Sequence, residues 1–106
     1  MVPDKADLIR QCTIKVNTLK RCQKEHHSYI KEISEQNGRI EQLEAGGADE
    51  YVLNKQRQVL GESQRMLPNC QQLVDNAAKD LGAFLEKHSS IIDSNLLAEA
   101  KALLRV

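Results

Sequence analysis

The sequence predicts an all-α fold: an elongated antiparallel three-helix bundle with two long helices and one short one, the middle helix bent at Pro68. Three observations carry this expectation. Leu60, Leu67, Val74 and Leu81 recur every seven residues, and Ser63, Cys70, Ala77 and Phe84 recur at the same interval three residues later. Such a double row is the a/d seam of a helix packed lengthwise on another helix. Aromatic residues make up only 3% of the chain, with no Trp, which weakens any strand-based fold, because strands draw heavily on aromatic and β-branched side chains. Finally, the rhythm is interrupted at Gly46-Gly47 and at His88-Ser89-Ser90, which divides it into three stretches. With 106 residues the expectation is one domain, 1–106, with helices over about 4–44, 50–87 and 91–104.

The first helix is expected to start at Pro3-Asp4, where Asp4 and Asp7 favour the positive end of the helix dipole. From there to Glu44 no proline occurs and glycine only once, at Gly38. Cys12, Val16, Leu19, Gln23, His26, Ile30, Ile33, Asn37 and Ile40 step by four and three, and Tyr29 and Leu43 widen the stripe on one flank. A helix of ~40 residues is ~60 Å long and needs a partner along its length. Gly46 and Gly47 are read as its stop, since glycine takes the left-handed C-cap at low cost.

Asp49 fits the N-cap of the second helix. Val52, Val59, Met66 and Leu73 form a third apolar row beside its a/d pair, and a stripe this wide points to more than one neighbour. Pro68 stands inside the pattern. Proline removes one backbone hydrogen bond and costs a helix interior ~3 kcal/mol or more, so a bend is expected there. Ser90 followed by Asp93 resembles a capping box for the third helix, whose Ile92, Leu96, Ala100 and Leu103 again step by four and three.

Short connections make neighbouring helices antiparallel. The third helix then returns along Val74 to Phe84 and the facing Leu8 to Leu19. The rest of the hairpin, from His26 round to Leu67, is left with two helices. Its seam carries Gln23, His26, Asn37, Gln56 and Ser63, so Ile30, Ile33, Val59 and Met66 are shielded from one side only. Apolar groups rimmed by polar ones mark a protein-binding face; the alternative, that long Lys, Arg and Gln stems cover them, stays open at this level.

Composition excludes several functions. Fifteen basic and fifteen acidic residues cancel, unlike the strong basic excess of a general nucleic-acid binder. No apolar run reaches the ~20 residues a membrane span requires, and the opening MVPDKADLIRQ has no apolar core of signal-peptide type, so a cytosolic location is expected. Cys12, Cys22 and Cys70 show no C-x-x-C spacing and read as reduced thiols. Cys22 and His26 are four apart but lack a third ligand, so no metal is expected. Cys70 has no activating base in view, GGADE lacks the lysine of a phosphate loop, and no enzyme is expected. Between Arg10 and Lys24 the first helix carries Arg10, Lys15, Lys20, Arg21 and Lys24 with no acid until Glu25. Such a run is either a solvated face or a contact strip for an acidic partner.

Three segments carry a family resemblance. They are IKVNTLKRCQKEHHSYIKE (14–32), DEYVLNKQRQVLGES (49–63) and the stretch from Glu62 to Leu85 containing Arg65-Met66-x-Pro68-x-Cys70-Gln71. Together they resemble the tubulin-binding cofactor A family, also called tubulin-specific chaperone A, over about two thirds of the chain. Met-x-Pro-x-Cys-Gln within a helical pattern is an unusual combination. The third helix is more apolar, and the AGGADE loop more glycine-rich, than the family pattern.

The resemblance implies a rod-like three-helix bundle and a non-catalytic, cytoplasmic, cytoskeleton-associated chaperone. It would capture quasi-native β-tubulin during α/β-tubulin assembly and pass it to other tubulin-folding cofactors, with no nucleotide, metal, nucleic acid or membrane involved, acting as a monomer in preference to a homodimer. On this reading Lys15, Lys20, Arg21, Lys24 and Lys31 meet acidic β-tubulin surface, and Tyr29, Tyr51, Lys55, Gln56 and Met66 supply short-range contacts. Pro68, Cys70, Gly46 and Gly47 are structural. The alternatives are a spectrin-like structural three-helix module and a coiled-coil adaptor that dimerises through the Leu60–Leu81 seam.

Overall fold

A computed structural model describes residues 4–105. The expectation that Pro3 opens the first helix lies outside them. The fold is all-α: α1 (Lys5–Ala45), α2 (Glu50–His88) and α3 (Ser94–Leu104), with a 3-10 turn at Ser89–Ile91 before α3. No strand occurs among the described residues.

Local chemistry sets each helix end. Asp4 caps α1 by accepting from the Asp7 amide at 2.8 Å. At its other end the Ala48 amide reaches the Leu43 carbonyl at 3.0 Å and the Gly47 amide the Glu44 carbonyl at 3.2 Å. This pair of bonds is a Schellman motif, and it requires a left-handed residue at the position Gly47 fills. Gly47 has φ +76°, whereas Gly46 is not among the residues with positive φ, so only the second glycine is needed for its backbone freedom. Asp49 caps α2 through the Val52 amide at 3.0 Å.

α2 runs through Pro68 without interruption. The capping box expected at Ser90 does not form. Ser90 sits in the 3-10 turn, and Asp93 caps α3 by accepting from the Asn95 amide at 3.0 Å. The reason is reach: the extra turn brings Ile92, 7% exposed, into the core before α3 begins.

The chain folds into two compact units. The first takes in the residues up to Gln23 and from Leu73 onward, so it holds the start of α1, the end of α2 and all of α3. Its core is Leu8, Cys12, Val16, Leu19, Leu81, Phe84, Leu85, Ile92 and Ala100, with Val74, Ala77, Leu96, Leu97 and Leu103 packed against it. Leu19 and Leu81 are wholly buried, and full burial of a leucine is worth about 1.5–3 kcal/mol. Lys15 donates to Asp80 at 2.8 Å, which ties α1 to α2. Lys20 pairs with Glu99 and Gln23 donates to the Leu103 carbonyl at 3.2 Å. These pairs advance together along both helices, so α3 runs parallel to α1.

The second unit, Lys24–Gln72, is a two-helix hairpin closed by the turn at 46–49. Its buried residues are few, and two are polar: Gln36, Ile40, Leu53, Ser63 and Cys70. Here the α1 seam differs from the expected one. Tyr29, Gln36 and Leu43 lie inward or half-buried where Ile30 and Asn37 were expected, and Ile30 and Asn37 are exposed. Within the shared row Cys12, Leu19, His26, Ile33 and Ile40, the second contact shifts from four residues on to three. The three-helix unit draws on a wider apolar arc of α1 than the hairpin, which faces one partner.

Candidate protein-binding face

The hairpin seam is joined by a polar contact. Gln36, only 3% exposed, donates to Gln56 Oε1 at 2.5 Å and to the Gln56 carbonyl at 3.3 Å. Its own Oε1 accepts from Arg39 at 3.2 Å. No buried side-chain polar atom among the described residues lacks a partner. Gln56, expected both at the seam and among the contact residues, faces the seam. The signal that locates Gln36 is its place in the row Tyr29, Gln36, Leu43 at seven-residue spacing.

The outward side of α2 in this unit is different. Val52 is 37% exposed, Val59 44% and Met66 43%. They are the row beside the a/d pair, spaced by seven, and each lies next to a seam residue: Leu53, Leu60 and Leu67. Tyr51 is the most open at 69%, and the Lys55 ammonium stands over its ring, 5.4 Å from the centroid. This cation–π contact holds the Lys55 charge at the edge of the apolar row. Tyr51, Lys55 and Met66 are thus brought onto one helix surface. Tyr29 is half-buried on α1.

The cations expected to act as one strip divide. Lys15 is held by Asp80 and lies 5.8 Å from the Phe84 ring centroid, and Lys20 is held by Glu99. Both join helices within the first unit. Arg21, Lys24 and Lys31 are exposed and form no ion pair with another described residue. Lys31 lines a shallow depression with Ser28, Glu32, Glu35 and Arg39. Pro68 is exposed and Cys70 buried on opposite sides of α2. Burial pushes the Cys12 thiol above its ordinary value, against a smaller opposing pull from Lys15. Among the described residues, no group of three His, Cys, Asp or Glu side chains is placed to hold a metal ion, and no helix is long and apolar enough to cross a membrane.

The family model described as Tubulin binding cofactor A matches residues 7–104. The chain belongs to this family. The match extends through α3, the helix more apolar than the family pattern. Tubulin-specific chaperone A of Gallus gallus is 35% identical over 96 residues, 91% of this chain and 89% of that protein. Tubulin-folding cofactor A of Arabidopsis thaliana is 42% identical over 77 residues, 73% of this chain and 68% of that one. Among solved structures, the tubulin folding cofactor A of Arabidopsis thaliana superposes with a TM-score of 0.87 at 34% identity, covering 94% of each chain. The human tubulin chaperone cofactor A gives 0.78 at 33% identity, covering 92% of this chain and 95% of that one. The cofactor A family is one of chaperones, not of enzymes.

Proposed function

We propose that this protein is a tubulin-folding chaperone that captures quasi-native β-tubulin and holds it until other tubulin-folding cofactors build the α/β dimer. Family membership supports the client. The observation that carries the mechanism is the row Val52, Val59 and Met66, left 37–44% exposed on the two-helix hairpin. Apolar groups cost free energy in water at roughly 25 cal/mol per Å², and a client surface that covers them recovers it.

The exposed cations Arg21, Lys24, Lys31 and Lys55 attract an acidic client, setting encounter rate and orientation more than final affinity. Capture needs no energy source, because a holdase has only to bind the unassembled client better than its competitors do. The protein acts as a monomer in the cytoplasm, beside the cytoskeleton its client builds.

The test mixes the protein with β-tubulin freshly released from chaperonin and follows size exclusion. Co-elution at micromolar concentration is expected; separate elution rejects the function. Sedimentation across concentration tests the monomer, and a mass that doubles rejects it.

A further inference from the structure

Resting on that reading, we infer that the outward face of α2 takes an amphipathic helix of the client, oriented by two opposite charges. The apolar groups are Val52, Val59 and Met66. Seven residues of helix rise ~10.5 Å, so the row presents apolar knobs at that interval over ~21 Å. Same-face residues of a strand repeat every ~6.6–6.8 Å and lose register with the row by nearly 4 Å at each step. A second helix lying nearly parallel or antiparallel repeats its own heptad at the same ~10.5 Å and stays in register. The spacing therefore selects a helix over an extended segment, by helix-against-helix packing.

Charge fixes the direction. Lys55 lies between Val52 and Val59, and Glu62 between Val59 and Met66, so the face reads Val52, Lys55, Val59, Glu62, Met66. Lys55 and Glu62 are exposed. Neither forms an ion pair with another described residue, whereas Lys15, Lys20 and Arg57 on other faces all do. The Tyr51 ring beneath the Lys55 ammonium limits where that charge points. The complementary helix carries apolar residues seven apart, an acid at the level of Lys55 and a base at the level of Glu62. Reversed end for end, the same helix would meet two like-charge contacts, which disfavours it.

Photo-cross-linking tests this. A benzophenone amino acid is placed at Val59 and, separately, at Met66, with Ile14, 58% exposed on the first unit, as the control position. Each variant is irradiated with β-tubulin released from chaperonin, and the joined peptides are identified by mass spectrometry. The inference predicts cross-links from both α2 positions, and not from Ile14, to one client helix bearing the stated pattern. Cross-links to strands or loops, to a second copy of this chain, or none at all while capture persists, overturn it and leave the chaperone function standing. Loss of capture by the unmodified protein instead overturns the function, and the inference with it. In parallel, the double exchange Lys55→Glu with Glu62→Lys keeps net charge and helix content but reverses the charge order. Capture should weaken roughly three- to tenfold, as expected for two surface pairs turned from attractive to repulsive; unchanged capture overturns the charge assignment.

Discussion

Gln36 on α1 donates to Gln56 on α2 at 2.5 Å, across the seam of the two-helix unit. A side chain 3% exposed that joins both helices fixes their register, because sliding by one residue would leave a buried amide without partners. Apolar contacts around it are interchangeable; this one is not. Replacing Gln36 by Ala should cost about 1–3 kcal/mol. The loss should be local, with faster amide exchange across residues 24–72 and little change near Leu19 and Leu81. Replacing both glutamines by Leu should restore or raise stability while loosening register. Native-state hydrogen exchange resolved by residue distinguishes the two outcomes.

Gly47, at φ +76°, closes α1 in a conformation that costs an L-residue about 1 kcal/mol. Gly47→Ala should therefore lower the thermal midpoint by roughly 4–8 °C. At Gly46 an added Cβ would lie 3.4 Å from the Gln42 carbonyl oxygen, an ordinary contact, so Gly46→Ala should leave the midpoint nearly unchanged. Equal effects at both positions would contradict the assignment of the left-handed cap.

Burial holds the Cys12 proton past the ordinary value of 9.0. The sign follows from linkage. Below that value both folded and unfolded thiols are protonated and the contribution to stability is complete. Above it the unfolded chain ionises first, so stability falls as pH rises toward the folded thiol's raised pKa, by up to about 1.4 kcal/mol per pH unit. Chemical denaturation across alkaline pH should show this slope, and Cys12→Ala should reduce it.

Lys24 and Lys31 are exposed on α1, and the proposed function has them act on the client through solvent. Reversing both to Glu should slow association several-fold at low salt and lose that effect as salt rises, since the screening length shrinks from ~10 Å at 0.1 M to ~3 Å at 1 M. Stopped-flow association across ionic strength measures it. Reversing Lys20 instead should loosen α3, because its partner is Glu99.

Much of this architecture is legible in the residues themselves. Gly46-Gly47, Asp49 and the seven-residue rows of α2 mark helix ends and facing sides through short-range chemistry, which a sequence displays directly. What is not legible depends on distant partners. Lys15 and Lys20 look like members of one cationic strip until Asp80 and Glu99, 65 and 79 residues away, are seen to hold them. Gln36 falls in a seven-residue row with Tyr29 and Leu43, but the hydrogen bond that lets an amide be buried there comes from Gln56, twenty residues on. Ser90 has the right spacing for a capping box, but placing Ile92 in the core moves the cap to Asp93. On the candidate face, Tyr51, Lys55 and Met66 come together because they share one helix, whereas Gln56 on that helix points to the seam.

The most direct measurement compares tubulin capture by the native chain with that of Val59→Lys and Met66→Lys combined. Both side chains are more than two-fifths exposed, so circular dichroism and thermal midpoint should be unchanged. Placing two charges within the apolar row should weaken β-tubulin binding at least tenfold in an equilibrium titration. Full capture by this folded variant would contradict the assignment of the α2 face as the client's binding surface.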